Sequence, residues 1–294
     1  MKPDLLSACR AGVVICDGAM GTQLFERGLK PGECGMAWNE IRPEDVLSVH
    51  QAYASAGCHL FTTNTFGGSR TMLERHGREN HVASWNRRAA EIAREAAGGR
   101  GWVLGDVGPF GDFLEPLGDM TECGLTEIFA EQMQALVDGG ADALLVETMS
   151  DPAEAIVGIR AAKSVSGLPV IATFAFQKFG TEFRTMMGTP VNALIQSVLS
   201  AGADIVGANC GTDLSLDDYI GLARELKAAA GVVPVILQPN AGSPKQGPEG
   251  IHYDATPAEM AATARRLRDA GVGVIGGCCG TSPAHLAAMS LTLK

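Results

Sequence analysis

Short apolar runs recur along the chain, and each ends in a polar or glycine-rich turn. The first is Val13-Val14-Ile15-Cys16, stopping at Asp17-Gly18. The second is His59-Leu60-Phe61-Thr62-Thr63, stopping at Asn64-Thr65-Phe66-Gly67-Gly68. Trp102-Val103-Leu104 is third, before Gly105-Asp106-Val107-Gly108-Pro109. Ala143-Leu144-Leu145-Val146 is fourth, before Glu147-Thr148. Pro169 to Phe174 is fifth, Ile205 to Cys210 sixth, Val233 to Leu237 seventh, and Val274-Ile275-Gly276-Gly277 eighth. Runs this short, apolar on consecutive positions, read as strands buried on both faces of a parallel sheet.

Between the runs the apolar period changes to that of helices. Pro43-Glu44-Asp45 opens one such segment, with Val46, Val49, His50 and Tyr53 on one face and Gly57 at its end. Others are expected from about Val82 to Ala97, from a Thr126 cap to Val137, and from Pro152 after Ser150 or Asp151. Further ones run from Pro190 to about Gly202, from about Ser215 to Ala230, from Thr256-Pro257 to Arg268, and after Ser282-Pro283. Ser, Thr or Asp before proline is a favourable N-cap and N1 pairing. Eight strand–helix units in 294 residues predict a (β/α)8 TIM barrel formed by residues 1–294 as a single domain. An open doubly wound sheet is the competing arrangement. The longer connections follow runs one, two, three, five and seven, where a barrel carries its active-site loops.

Composition narrows the function classes. The chain is 46% hydrophobic and 19% charged, with a net charge of −10; nucleic-acid binding calls for basic patches instead. No stretch approaches the ~20 apolar residues of a membrane span, and the N-terminus lacks a signal-peptide h-region. A cytoplasmic, unprocessed protein is expected. The eight cysteines are too few for a disulfide scaffold at this length, and clustered ones point to metal binding or chemistry. Cys9, Cys16, Cys34, Cys58 and Cys123 are scattered and read as plain thiols.

In a barrel the residues just after each run converge on one rim. They are Asp17, Asn64 and Thr65, Asp106, Glu147 and Thr148, Asn209 and Cys210, Asn240, and Cys278 with Cys279. Three thiols from strands six and eight, with Asn240 on strand seven between them, can hold one zinc ion and leave a fourth position open, as catalytic sites do. Buried core thiols are the plain alternative. A phosphate-binding loop after strand eight is another, but it lacks a Walker lysine. Asp17 and Glu147 read alone as a turn residue and a solvated carboxylate; beside a thiolate site they suit a cationic amino group. The histidines make a poor ligand set.

These residues carry a resemblance. Asp17-Gly18-Ala19-Met20-Gly21-Thr22, Asn64-Thr65-Phe66, Gly105 to Pro109, Glu147-Thr148, Gly207-Ala208-Asn209-Cys210 and Gly276-Gly277-Cys278-Cys279-Gly280-Thr281 together resemble the homocysteine S-methyltransferase family, from about residue 12 to 293. The motifs are closest to the homocysteine-binding domain of cobalamin-dependent methionine synthase. Thr148 stands where the betaine-dependent members have tyrosine, and Gln238-Pro239-Asn240-Ala241-Gly242 is similar to the methionine synthase domain.

The resemblance implies a zinc enzyme with Cys210, Cys278 and Cys279 as ligands and Asn240 as a fourth ligand without substrate. It implies that Asp17 and Glu147 hold the homocysteine amino group, with backbone near Gly18 and Thr65 at its carboxylate. The expected reaction is methyl transfer to a zinc-bound homocysteine thiolate, giving methionine. The expected donor is a separate methylcorrinoid protein, with betaine or S-methylmethionine as alternatives. A non-catalytic zinc- and homocysteine-binding subunit of a larger methyltransferase complex is the competing class. An aldolase or isomerase on the same barrel has only Lys178 to offer as a strand-end lysine.

Overall fold

The computed structural model describes residues 2–247 and 250–294. Eight parallel strands form one sheet: β1 (Val14–Ile15), β2 (Leu60–Thr62), β3 (Trp102–Val107), β4 (Ala143–Met149), β5 (Val170–Phe174), β6 (Ile205–Cys210), β7 (Val235–Pro239) and β8 (Val274–Ile275). Their spatial order is β1-β8-β7-β6-β5-β4-β3-β2. A parallel bridge between Cys16 and Leu60 joins β1 to β2 and closes the ring. The barrel, not the open sheet, is therefore the observed fold.

The two-residue period of a strand divides its side chains between two cores. Ile15, Phe61, Val103, Leu144, Val170, Val206 and Val235 point outward and pack under the helices. Val14, Leu60, Leu104, Leu145, Ile171, Ile205, Ile236 and Val274 form a separate cluster that fills the barrel. Both sets are buried, which is why the runs read as continuously apolar. Inside the barrel, polarity rises toward the carboxyl ends. Two residues beyond Leu104, Leu145 and Ile236 stand Asp106, Glu147 and Gln238. The apolar layers hold the barrel together, and the polar layer above them is the floor of the site.

The amino-terminal end is plugged. The helix Leu5–Ala11, capped by Asp4, inserts Leu5 and Cys9 into the interior cluster. Lys2 Nζ anchors the segment on Gly101 O at 2.6 Å and Asp142 at 3.0 Å. The periodicity did not announce this helix, because a seven-residue element shows barely two turns.

The eight expected helices form, with one correction. The third runs Glu122–Asp138 and is capped by Thr121, whose side chain accepts from Gly124 N. Thr126 lies inside the helix and donates back to Glu122 O. Thr121 also meets the cap requirement of an extended backbone, while Thr126 has an ordinary helical neighbour on each side. The long connections carry structure that the sequence pattern missed. After β1 come the helices Met20–Glu26 and Trp38–Ile41, and after β2 the helix Arg70–Glu74. After β5 comes an antiparallel hairpin, Phe176–Phe179 with Glu182–Thr185; after β7 comes Lys245–Gly247 with Gly250–His252.

Among the described residues, no helix is long and apolar enough to cross a membrane.

Candidate functional site

The ends of β6 and β8 bring three thiols together. Cys210 Sγ is 3.9 Å from Cys279 Sγ, and Cys278 Sγ is 4.0 Å from Cys279 Sγ. All three lie within 4.8 Å of one another and are partly exposed to the barrel mouth. Two adjacent cysteines normally point apart. Here Gly280, at φ +77°, turns the chain sharply after them, and Thr281 clamps the turn by donating to Cys278 O at 2.7 Å. Cys210 itself has φ +55°, which costs a non-glycine residue of order 1 kcal/mol or more. The Tyr219 hydroxyl donates to its carbonyl and holds it there.

The thiol spacing fits a tetrahedral metal centre. At a Zn–S distance of about 2.3 Å, two sulfurs of a tetrahedron stand about 3.8 Å apart, close to the observed 3.9 and 4.0 Å. Asn240, directly after β7 and between the two thiol-bearing strands, has a buried Oδ1 with no hydrogen-bond donor. Its Nδ2 points to Gly211 O at 3.4 Å. An unpartnered buried carbonyl oxygen is costly, and a fourth coordination position would satisfy it. Among the described residues, no histidine or carboxylate belongs to the cluster. Of the three thiols, Cys279 ionises first, because Cys210 and Cys278 both donate toward it. Contact with Cys210 first, then Cys279, together with burial, pushes Cys278 up. Asn209 adds a donor, with Nδ2 at 3.7 Å from Cys278 Sγ and at 2.6 Å from Thr148 Oγ1.

Beside the thiols is a pocket of carboxyls. Asp17 is buried and accepts from Thr62 N at 2.8 Å and Thr62 Oγ1 at 2.9 Å. Burial nevertheless pushes its pKa up to about 7. Glu147 sits where β4 breaks register against β5 between Val146 and Met149, followed by Thr148 at φ +56°. Such an irregularity re-aims a side chain at a strand end. Burial first, then the charges of Asp17 and Cys279, raise Glu147 to about 8. Asp106 completes the group from β3. Among the described residues, no lysine, arginine or histidine pairs with any of the three.

Gly18 and Thr65 shape this pocket in different ways. A Cβ on Gly18 would lie 2.7 Å from Thr281 Oγ1 and 2.9 Å from Tyr53 Oη, so the β1 turn can approach the thiol-bearing turn only as glycine. Thr65 has both donors committed: its amide to Thr63 O at 2.9 Å and its hydroxyl to Asp106 O at 2.7 Å. Lys178 is paired with Asp218 on the hairpin after β5, far from a Schiff-base role. Sequence reasoning placed Asp106 and Asn209 on the rim without giving either a task. It passed over Tyr253, whose side chain packs against Gly280 beside the thiols; Tyr253 lies beyond the hairpin after β7, where no strand-end rule points.

A family model described as homocysteine S-methyltransferase matches residues 14–293. The methionine synthase of Mycobacterium tuberculosis (strain ATCC 25618 / H37Rv) is 34% identical over 304 residues, covering 96% of this chain and 25% of its own length. That of Mycobacterium leprae (strain TN) is also 34% identical, over 96% of this chain and 24% of its own. The chain thus spans about a quarter of the length of these relatives. Among solved structures, the metallated form of the homocysteine methyltransferase MmuM from Escherichia coli superimposes with a TM-score of 0.77 at 23% identity, covering 97% of this chain and 99% of that one. A methyltransferase from Methanosarcina mazei reaches 0.61 at 13% identity, over 98% and 96%. At these identities the structural likeness speaks for the fold.

Proposed function

The chain belongs to the homocysteine S-methyltransferase family, and from that premise we propose that it moves a methyl group onto the thiol of homocysteine and releases methionine. The observation that carries the reading is the three-thiol cluster at tetrahedral spacing, set beside a cation-seeking carboxyl pocket.

Cys210, Cys278 and Cys279 hold zinc in this reading, and Asn240 Oδ1 completes the donor set when no substrate is present. Zinc supplies, when bound, a Lewis acid that keeps a thiol deprotonated at neutral pH, where a free alkyl thiol is mostly protonated. Asp17 and Glu147 accept the substrate ammonium, which fixes the amino-acid end of homocysteine in the mouth. Backbone at Gly18 serves its carboxylate. Thr65, whose own donors are taken, orients Asp106 and the loop rather than touching substrate. Asn209 donates toward Cys278 Sγ, which moderates the negative charge of three clustered thiolates. None of these roles needs a histidine base.

For the donor we infer a separate methylcorrinoid protein, supported by the methionine synthase-like motifs and by the identity to methionine synthases across 96% of the chain. In this reading residues 1–294 act as one barrel domain, in the cytoplasm. The test is a donor panel with metal-loaded protein and homocysteine, following methionine: a methylated corrinoid protein, betaine and S-methylmethionine. Cys278→Ala is expected to lose both metal retention and methionine formation. Outer-shell changes at metal sites already cost about 10–100-fold, so loss of a ligand should cost more. Full activity in metal-free protein would sink the zinc reading. Homocysteine binding without turnover on any donor would favour the non-catalytic subunit.

A further inference from the structure

Asp106 has no task in the scheme above, yet it is the most enclosed carboxyl of the pocket. It is 1% exposed, and its Oδ1 has no donor. The donors around it serve its main chain instead. Thr65 Oγ1 and Gln132 Nε2 both point to Asp106 O, at 2.7 and 3.3 Å, and its amide goes to Thr63 Oγ1 at 3.0 Å. Its carboxyl is left on the inward face of β3 with Oδ1 unpartnered. The strand register makes Glu147 its neighbour: Asp106 pairs with Leu145 across β3–β4, and Glu147 is the next inward position.

Two ionised carboxylates are acceptors only and cannot bond each other. Two neighbouring carboxyls in a buried site with no cation between them therefore keep a proton, as like charges in one site require. Glu147 is partly exposed to the mouth, whereas Asp106 is sealed beneath it. The charge count agrees. Asp17 and Glu147 as carboxylates bring −2 to an ammonium of +1, and an ionised Asp106 would leave a second uncompensated charge in a buried site.

We propose that Asp106 is a positioning residue of the amino-group pocket: it keeps its proton, donates it to Glu147, and so aims an ionised Glu147 at the substrate ammonium. The proposal rests on homocysteine being the substrate. The titratable groups that face Asp106 are Glu147 and Asp17, and burial together with their charges holds its carboxyl well above the usual range. When substrate binds, the protons that Asp17 and Glu147 carry leave to solvent, and the proton on Asp106 stays.

Two measurements on the metal-loaded protein test this. The first is the calorimetric affinity for homocysteine at neutral pH. Asp106→Asn keeps a donor to Glu147 without a titratable group and should bind within about threefold of wild type. Asp106→Ala removes the donor and should bind about tenfold more weakly or worse, the usual worth of a hydrogen bond to a charged group. Equal losses in both variants would mean that Asp106 acts as a charged ligand of the ammonium, and no loss in either would mean that it has no part. The second is the infrared carbonyl band of a protonated carboxyl in the homocysteine-bound protein, which should be present in wild type and weaker by one carboxyl in Asp106→Asn. This readout stands even where the alanine variant does not fold. An unchanged band overturns the proposal. Absence of homocysteine binding by wild type overturns the substrate reading; a free-protein band that Asp106→Asn still weakens by one carboxyl leaves the proton on Asp106 standing.

Discussion

Asp17 shows how a single residue trades stability for binding. It is buried with two donors from Thr62, yet its pKa is raised from 3.8 to about 7. A group whose folded pKa is raised stabilises the native state fully below the unfolded value and loses that contribution as pH rises through the folded one. Asp17→Asn should therefore raise the unfolding temperature of the substrate-free protein at pH 8 and change it little below about pH 4. The same variant should weaken homocysteine binding by about tenfold or more, since it removes a charged acceptor; calorimetry and thermal melts check the two halves. Gly18 makes the opposite case, a residue with no chemistry whose size matters. Gly18→Ala would drive a Cβ into Thr281 Oγ1, 2.7 Å away, and Thr281 clamps the Cys278 carbonyl. Metal affinity, measured by chelator competition, should fall although no ligand has changed. A wild-type affinity in that variant would detach the β1 turn from the thiol cluster.

At the scale of elements, the strand ends carry the site and the helix caps carry register. Among the described residues, Thr148 and Cys210 are two of the three non-glycine residues with positive φ, and each lies in the last two residues of its strand at the rim. Strain of this kind persists where surrounding contacts over-determine it, here through Asn209 on Thr148 and Tyr219 on Cys210. The helix Glu122–Asp138 offers a cleaner test of sequence reasoning. Both Thr121 and Thr126 are threonines near its start, and only the first has an extended backbone and a side chain accepting from Gly124 N. Thr121→Ala should cost about 1 kcal/mol in denaturant unfolding, whereas Thr126→Ala should be near neutral. Equal costs would contradict the observed helix start. The alternation of period made the eight helices legible in the sequence. The hairpins after β5 and β7 were not, because strands of three or four residues are too short to show a period, even where Phe176 and Phe183 join the core.

The whole molecule carries opposing titrations that should set its pH optimum for stability. Burial raises Asp17 to about 7, Glu147 to about 8 and Glu154 to about 7. Their stabilising contribution is complete below about pH 4 and declines as pH climbs toward 8. His50 acts with the other sign. It is fully buried with neither ring nitrogen partnered, and burial lowers it from 6.5 to about 4. Its contribution is intact above pH 6.5 and is lost as pH falls to 4. Three carboxyls outweigh one imidazole, so substrate-free protein should lose melting temperature as pH rises from about 4 to about 8, and homocysteine should flatten that loss by holding Asp17 and Glu147 ionised. A melting temperature that climbs steadily to pH 8.5 without substrate would refute the assignment of those carboxyls as uncompensated.

The sequence by itself determined the barrel, because eight buried strands and eight amphipathic helices each leave a local period that needs no knowledge of distant residues. It also named the rim, since every rim residue follows its own strand directly. Tertiary structure alone decided distances across the ring. Cys210 and Cys279 are far apart in the chain and 3.9 Å apart in space because β7 alone separates their strands. That Asp106 and Glu147 are neighbours likewise depends on the register of β3 against β4. Period fixes which way a side chain faces; only closure of the barrel fixes what it meets there.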